Sequence, residues 1–311
     1  MNKKNKIQTS TSRKVFMICD YALMLLITLI CIYPFWYIII YTFSEGSQVD
    51  VNPPVFLPRG FTLSNYKDIF ELKGFFHSVL ISVLRTVIGT VASVLSCSFL
   101  GYLFTKEEMP FRKFLYRFLI LTMYISGGMI ASYIVMKSYG LLNNFWVYIL
   151  PLMISAYNIV LIKTFVEQLP ASLEESARLD GAGYLTVFTK LILPLSKPII
   201  ATVAVFVAVG QWNSWFDNHI YTRGNESLTT LQYLLYNYLN EAQRLANQIK
   251  NTTNAAGMNQ LVSNSISPKG IRMTITVLAS LPIFMVYPFM QKYFVKGIMV
   301  GAVKGRWVVR S

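Results

Sequence analysis

The chain has 311 residues, of which 54% are hydrophobic and only 14% charged, with a formal net charge of +14. So few charges exclude an ordinary soluble domain of this length, which carries about 25% charged residues, and the apolar residues fall in long runs that call for a bilayer as solvent. The basic excess does not mark a nucleic-acid surface, because Lys and Arg stand in short clusters beside apolar runs, as membrane topology requires.

Lys3, Lys4, Lys6, Arg13 and Lys14 precede an apolar stretch from Val15 to Phe43. The stretch is too long for a cleaved signal, and no small-residue cleavage site follows it, so it reads as a retained first span. Crossing about 30 Å of hydrocarbon takes roughly 20 helical residues. Six stretches qualify, near 16–43, 76–104, 114–136, 145–162, 199–216 and 273–291. The expected fold class is therefore all-α, a polytopic protein with six transmembrane helices in one membrane domain over 1–311. With both ends inside, the cytoplasmic segments hold eighteen Lys and Arg: five at the N-terminus, four in 105–117, four in 163–197 and five after Gln291. The opposite side holds nine: three in 44–75, Lys137, and five in 217–272. This bias places both termini in the cytoplasm.

The connections differ in character. Segment 44–75, with Pro53, Pro54 and Pro58, reads as an ordered, irregular outer connection. Segment 163–197 is too polar to span. It reads as a helix from Ala171 to Leu179, a turn from Asp180 to Gly183, and a second short helix ending before Pro194. Outer loop 217–272 has apolar residues at helical spacing from Leu228 to Ile249, then an Asn-, Ser- and Thr-rich run from Asn251 to Ser267 that reads as mobile. Cys19, Cys31 and Cys97 lie in or beside apolar runs without metal-ligand spacing, and read as small buried hydrophobes. No metal site is expected. No internal repeat is visible, which counts against a secondary transporter built from duplicated halves.

The most informative stretch is EESARLDGAGYLTVFTKLILPLSKP, Glu174 to Pro198. It resembles the coupling loop of ABC importer permeases, whose pattern is E-A-A, three residues, Gly, nine residues, Ile-x-Leu-Pro. Here Glu175, Ser176, Ala177, Gly181, Leu191, Leu193 and Pro194 keep that spacing, with Ser176 for Ala and Leu191 for Ile. Asp180 and Ala182 flanking Gly181, the run Lys296 to Gly305, and Trp212-Asn213 resemble the carbohydrate-uptake, maltose-transporter-like branch. The resemblance implies a non-enzymatic transport subunit in a bacterial cytoplasmic membrane, in contact with lipid. It further implies a second homologous permease subunit, a dimer of ATPase subunits, an extracytoplasmic solute-binding protein, and a sugar or oligosaccharide cargo. No cofactor is expected on this chain, ATP–Mg belonging to the ATPase. Glu174, Glu175, Ala177, Asp180, Gly181, Ala182, Leu191, Leu193 and Pro194 are the implied coupling residues. On physical grounds Gly181 permits a turn that a Cβ would penalise, Asp180 suits the start of the next helix, and Glu175 would meet a basic partner.

Polar residues within spans face protein or water rather than lipid. Gln211, Trp212, Asn213, Trp215 and Asp217 gather at the outer end of the fifth span, where aromatics beside amides suit sugar rings or form an interfacial aromatic belt. Tyr124, Ser126, Tyr157 and Asn158 are weaker pathway candidates. Arg85 is a full charge well inside a span, on a face with Ser82, Gly89, Ser93 and Cys97 that suits close helix packing. It pairs with a carboxylate or helix carbonyls as structural glue, or else lines the pathway. The sequence has no Walker-type phosphate loop, no H-E-x-x-H and no Gly-x-Ser-x-Gly elbow, and its only histidines are His77 and His219. The rival readings are an ion-driven secondary transporter or channel, a membrane-embedded enzyme, and an ABC permease for peptides, amino acids or phosphate.

Overall fold

The computed structural model describes residues 11–45, 49, 52–251 and 268–303. The regular structure among those residues is helical, and the sole strand-like pairing among them is an isolated bridge between Ser44 and Phe61. The chain divides into two compact units, one of Met1–Glu71 with Glu241–Val277, the other of Leu72–Asn240 with Leu278–Ser311.

In the first unit, α1 (Thr11–Thr42) is apolar on all sides, and its long hydrophobic side chains are exposed along most of its length. Hydrophobic exposure all around one helix suits lipid, not water. Cys19 and Cys31 share that exposure, so the expectation that they are buried fails, because the lipid-type surface of α1 continues around them. The Pro-rich connection is ordered by α2 (Ser64–Glu71), whose Asn65 donates to the Thr42 and Ser44 carbonyls, both at 3.0 Å.

In the second unit, α3 (Phe75–Leu103) is the central element. Ser78, Ser82, Arg85, Gly89, Ser93, Cys97 and Gly101 form a buried stripe at helical spacing, while Leu80, Val83, Val87, Val91 and Leu95 are exposed. This is amphipathicity reversed for a bilayer: small and polar groups face protein, and large apolar groups face lipid. The stripe packs against α6 (Ala156–Val166) and α9 (Lys197–Asn213). At Gly101 α3 and α6 approach closely, since an added Cβ would lie 3.0 Å from Ile162 Cγ2 and 3.2 Å from the Lys163 nitrogen.

Two of the expected spans are interrupted. The third is split at Ile125–Gly127 into α4 (Arg112–Tyr124) and α5 (Gly128–Ser138), where Gly128 takes φ +77°. The fourth begins with 3-10 turns at Phe145–Tyr148 and Leu150–Leu152, and a 46° bend precedes α6. Within segment 163–197, α7 (Ala171–Leu179) leads to α8 (Tyr184–Leu195), which has a π-helical turn at Phe188–Ile192. Pro194 lies within the last turn of α8 and does not end it. The helix survives because Pro194 falls at the first turn of the segment that follows the π turn, where a missing N–H is tolerated. The chain then turns 82° into α9.

α10 (Phe216–Tyr221) follows α9, and α11 (Leu231–Asn251) forms the helix expected near 228–249. α12 (Pro268–Val303) carries Pro282 and Pro288 across the expected sixth span. Among the described residues, α1 and α3 are long and apolar enough to cross a membrane, and counting each bent pair as one span gives four. The run 252–267, the basic residues Lys3, Lys4 and Lys6, and residues 304–311 lie outside the described residues.

Gly101→Val is expected to lower the melting temperature of the detergent-solubilised protein, costing about 1–3 kcal/mol by overpacking. Gly127→Ala, whose Cβ would meet only Ala131 Cβ at 3.5 Å, is expected to leave melting unchanged. Equal melting of the two variants would disprove the tight α3–α6 contact.

Candidate functional site

Two side-chain clusters collect most of the residues singled out in the sequence, and both lie in the unit containing 72–240. The first is the elbow between α7 and α8. Ala182 N–H donates to the Ala177 carbonyl and Gly181 N–H to the Arg178 carbonyl, each at 3.0 Å. With Gly181 at φ +82°, this is a Schellman helix ending. An added Cβ at Gly181 would meet nothing within 4 Å, so the requirement for glycine is conformational rather than steric. Asp180 occupies the C-cap of α7, and Gly183 the N-cap of α8. The expected capping of the second helix by Asp180 therefore does not form, because residues 180–182 are taken up in ending the first.

Glu174 moors the elbow. It pairs with Lys106, accepts from Tyr102 Oη at 3.2 Å, and meets Arg178 at 3.3 Å. Arg178 also reaches Glu108 at 2.8 Å and lies 4.5 Å from the Tyr184 ring centre. That hydrogen bond from Arg178 holds the Glu108 carboxyl below the usual range. Its folded-state pKa being depressed, its contribution is present above the ordinary carboxylate range and fades as pH falls through the lowered value. On the inner face, Ala177, Ala182, Leu191 and Leu193 pack against a buried cluster containing Tyr102, Ile162, Phe188 and Ile192. On the outer face, Glu175, Asp180 and Pro194 are exposed, and so are Leu179 (89%) and Leu185 (65%). The sequence reading missed these two leucines, whose signal was a large apolar residue on each side of a polar turn.

The second cluster centres on Arg85, which is 1% exposed. Its guanidinium pairs with both carboxylate oxygens of Asp217 and donates to the Ser214 carbonyl at 3.3 Å. It also donates to Gln211 Oε1 at 3.2 and 3.0 Å, and lies 4.5 Å from the Tyr148 ring centre. Gln211 Nε2 donates in turn to the Tyr148 carbonyl at 3.2 Å. Gly89 leaves room for that amide, since a Cβ there would fall 2.7 Å from Gln211 Nε2. The network continues outward through Tyr148 Oη, within 2.6 Å of Thr222 Oγ1, and through Asn218, which accepts from Thr230 N at 2.8 Å. Leu231 N donates to Ser82 Oγ at 2.8 Å and closes it back on α3.

Gln211 and Asp217 are thus brought together, by Arg85. Trp212 is buried and donates its indole N–H to the Ala279 carbonyl at 2.8 Å. Trp215 stacks on Tyr236 with ring centres 4.0 Å apart, and exposed Asn213 accepts from Gln232 at 3.4 Å. Tyr124, 82% exposed on α4, and Asn158, buried on α6, are not hydrogen-bonded to this group. Tyr148, Asn218 and Thr222 were missed, because they become partners only when the chain breaks after Asn213.

Comparison with known proteins places the chain among relatives. The family described as binding-protein-dependent transport system inner membrane component matches residues 97–300. Protein LplC of Bacillus subtilis is 38% identical over 293 residues, 94% of this chain and 96% of that protein. The polygalacturonan/rhamnogalacturonan transport system permease protein YtcP of the same organism is 36% identical, covering 94% and 99%. Among solved structures, a bacterial ABC transporter involved in the import of the acidic polysaccharide alginate has a chain that matches with TM-score 0.80 and 29% identity, covering 93% of this chain and 100% of that one.

Arg85→Met is expected to cost about 3–5 kcal/mol, because Asp217, largely enclosed by protein, is left without its ion partner. The double variant Arg85→Met/Asp217→Asn is expected to be more stable than Arg85→Met alone. Thermal melts of the single and double variants measure the coupling, and strictly additive losses would show that the pair does not act as a unit.

Proposed function

The chain belongs to the family of binding-protein-dependent transport system inner membrane components, and from that premise we propose that it forms half of the translocation pathway of a bacterial ABC importer for a saccharide. It is a membrane transport subunit and not an enzyme. Membership entails, in general, a partner permease, an ATPase and a binding protein.

The proposal extends this to six spans in one membrane domain with both termini cytoplasmic, supported by the two-to-one excess of Lys and Arg on that side. Two ATPase subunits holding ATP–Mg dock beneath the chain and its partner, and a binding protein delivers cargo from outside. Saccharide cargo is supported by the relatives, among them the permease YtcP and the alginate importer.

The observation that carries the proposal is the elbow. It presents Leu179, Leu185 and Glu175 outward on a turn fixed by two backbone hydrogen bonds, and Glu174 moors it inward. A turn so fixed transmits a push without first deforming. Leucines around a carboxylate suit a cleft on the ATPase that is apolar with a basic rim. When the ATPase subunits close around ATP, the elbow moves with them, and α8 passes the displacement through its 82° turn to α9. The spans rock from inward- to outward-facing, and hydrolysis resets them.

Gly181→Asp forces a side chain into a left-handed conformation that costs about 1–2 kcal/mol and adds a charge at the tip. Uptake of radiolabelled sugar by cells is expected to fall at least about tenfold, the drop that roughly 1.4 kcal/mol brings, with the amount of chain in the membrane unchanged. Uptake at the wild-type rate would falsify the coupling role. Leu179→Ser is expected to weaken co-purification of the ATPase while leaving the melting temperature intact.

A further inference from the structure

Beside the Arg85 network, an open cleft of about 490 Å³ lies between α5, the 139–144 connection and the end of α10. That volume is in the range of about 300–1,000 Å³ that holds small ligands. Tyr133 and Tyr221 line one wall as a near-parallel pair, with ring centres 6.3 Å apart and planes 11° from parallel. Asn143 forms part of the lip. Its backbone is held at φ +53°, and its N–H donates to the Tyr221 carbonyl at 3.0 Å. That bond leaves the exposed Asn143 amide free to serve as donor and acceptor. His219 also lines the cleft, and its Nδ1 is buried without a hydrogen-bond partner among the described residues.

The charge of the cleft is decisive. Its lining includes Arg223 and no carboxylate. Arg223 is exposed and has no ion pair or hydrogen bond among the described residues, whereas Arg85, Arg112 and Arg178 each bind a named acceptor. Asp217, a neighbouring acid, is already neutralised by Arg85. Burial, with Asp217 nearby, also holds the Tyr221 phenol above its ordinary range, so it stays a neutral donor. Hydroxyl groups of a neutral sugar gain most from carboxylate acceptors, and this cleft offers none. A planar guanidinium beside aromatic faces and an amide instead matches a sugar ring that bears a carboxylate. The guanidinium takes the carboxylate in a fork, the tyrosines take the apolar ring face, and Asn143 takes hydroxyls.

We propose that this cleft is an outward-side binding site for a uronate unit of the cargo, with Arg223 as its charge-selecting residue. The inference rests on the saccharide-importer reading and narrows it to anionic saccharides.

The test uses the complete importer, with its partner permease, ATPase and binding protein, in proteoliposomes. Uptake of trigalacturonate and of neutral galactotriose is measured for the wild type, Arg223→Gln and Arg223→Lys. For Arg223→Gln the half-saturating concentration for trigalacturonate is expected to rise about tenfold, the effect of losing one charge-assisted hydrogen bond. Galactotriose uptake and melting temperature stay constant, and Arg223→Lys recovers part of the loss. Equal trigalacturonate uptake by the wild type and Arg223→Gln overturns the proposal, and so does a wild type that carries galactotriose but no trigalacturonate. A loss shared by both sugars that appears in anionic-lipid vesicles and vanishes in zwitterionic ones also overturns it, making Arg223 a lipid headgroup contact. Failure of the wild type to carry any saccharide in a wider neutral and acidic panel instead overturns the importer reading beneath it.

Discussion

A guanidinium inside a membrane-spanning helix has to find all its partners within the protein, and for Arg85 this constraint shapes the second unit around the end of α9. Taking a charge out of water is costly whether lipid or protein replaces it. The structure meets that cost with a carboxylate, an amide, a carbonyl and an aromatic face at once. To bring them together, α9 must stop at Asn213 so that the Ser214 carbonyl and Asp217 turn toward α3. The 3-10 turn at Phe145–Tyr148 supplies the ring and a carbonyl for Gln211. Both breaks in regular structure thus share one electrostatic cause. Irregular backbone is admissible at this depth only where protein covers it.

The small residues of α3 follow from the same demand. Gly89 has no Cβ because Gln211 occupies that space, and Gly101 has none because Ile162 and the backbone of Lys163 do. Lipid tails offer no hydrophobic gain for helix association, so close van der Waals approach and hydrogen bonds must supply it. Ser82 adds to this by accepting from the Leu231 N–H, tying the start of α11 to the second helical turn of α3.

Much of this could be read from the sequence, and the reason is physical. Long apolar runs disclosed α1 and α3, since bilayer thickness imposes a length that few other contexts require. The helix at 171–179 and its glycine turn were legible because Gly181 and the residues around it obey local rules. Arg85 was legible as glue because a lone charge in a span needs a partner. That partner was not, because Asp217 reaches it only through a chain break that hydropathy does not register. The split at Ile125–Gly127 was hidden in the same way, since Ser126-Gly127-Gly128 is apolar enough to pass for a continuous span. Asp180 was misplaced because its capping propensity fits either side of a turn, and the six-residue ring closed by Ala182 on Ala177 decides which.

The elbow and the Arg85 network lie at opposite ends of one pair of helices. At the end nearer the elbow, Val94 and Cys97 of α3 share a buried cluster with Phe188 and Ile192 of α8 and Val203 of α9. At the other end, Arg85 of α3 is bonded to Gln211 of α9 and to Asp217 beyond it. Between these ends, α3 and α9 are in extended contact. Two helices fixed to each other at both ends cannot slide independently without breaking either the core cluster or a buried ion pair. They therefore move as one body, and in the importer reading that body is what links the elbow to the Arg85 network. The bends at Ser196 and Ser214 are where that body ends and where the change of angle has to be absorbed.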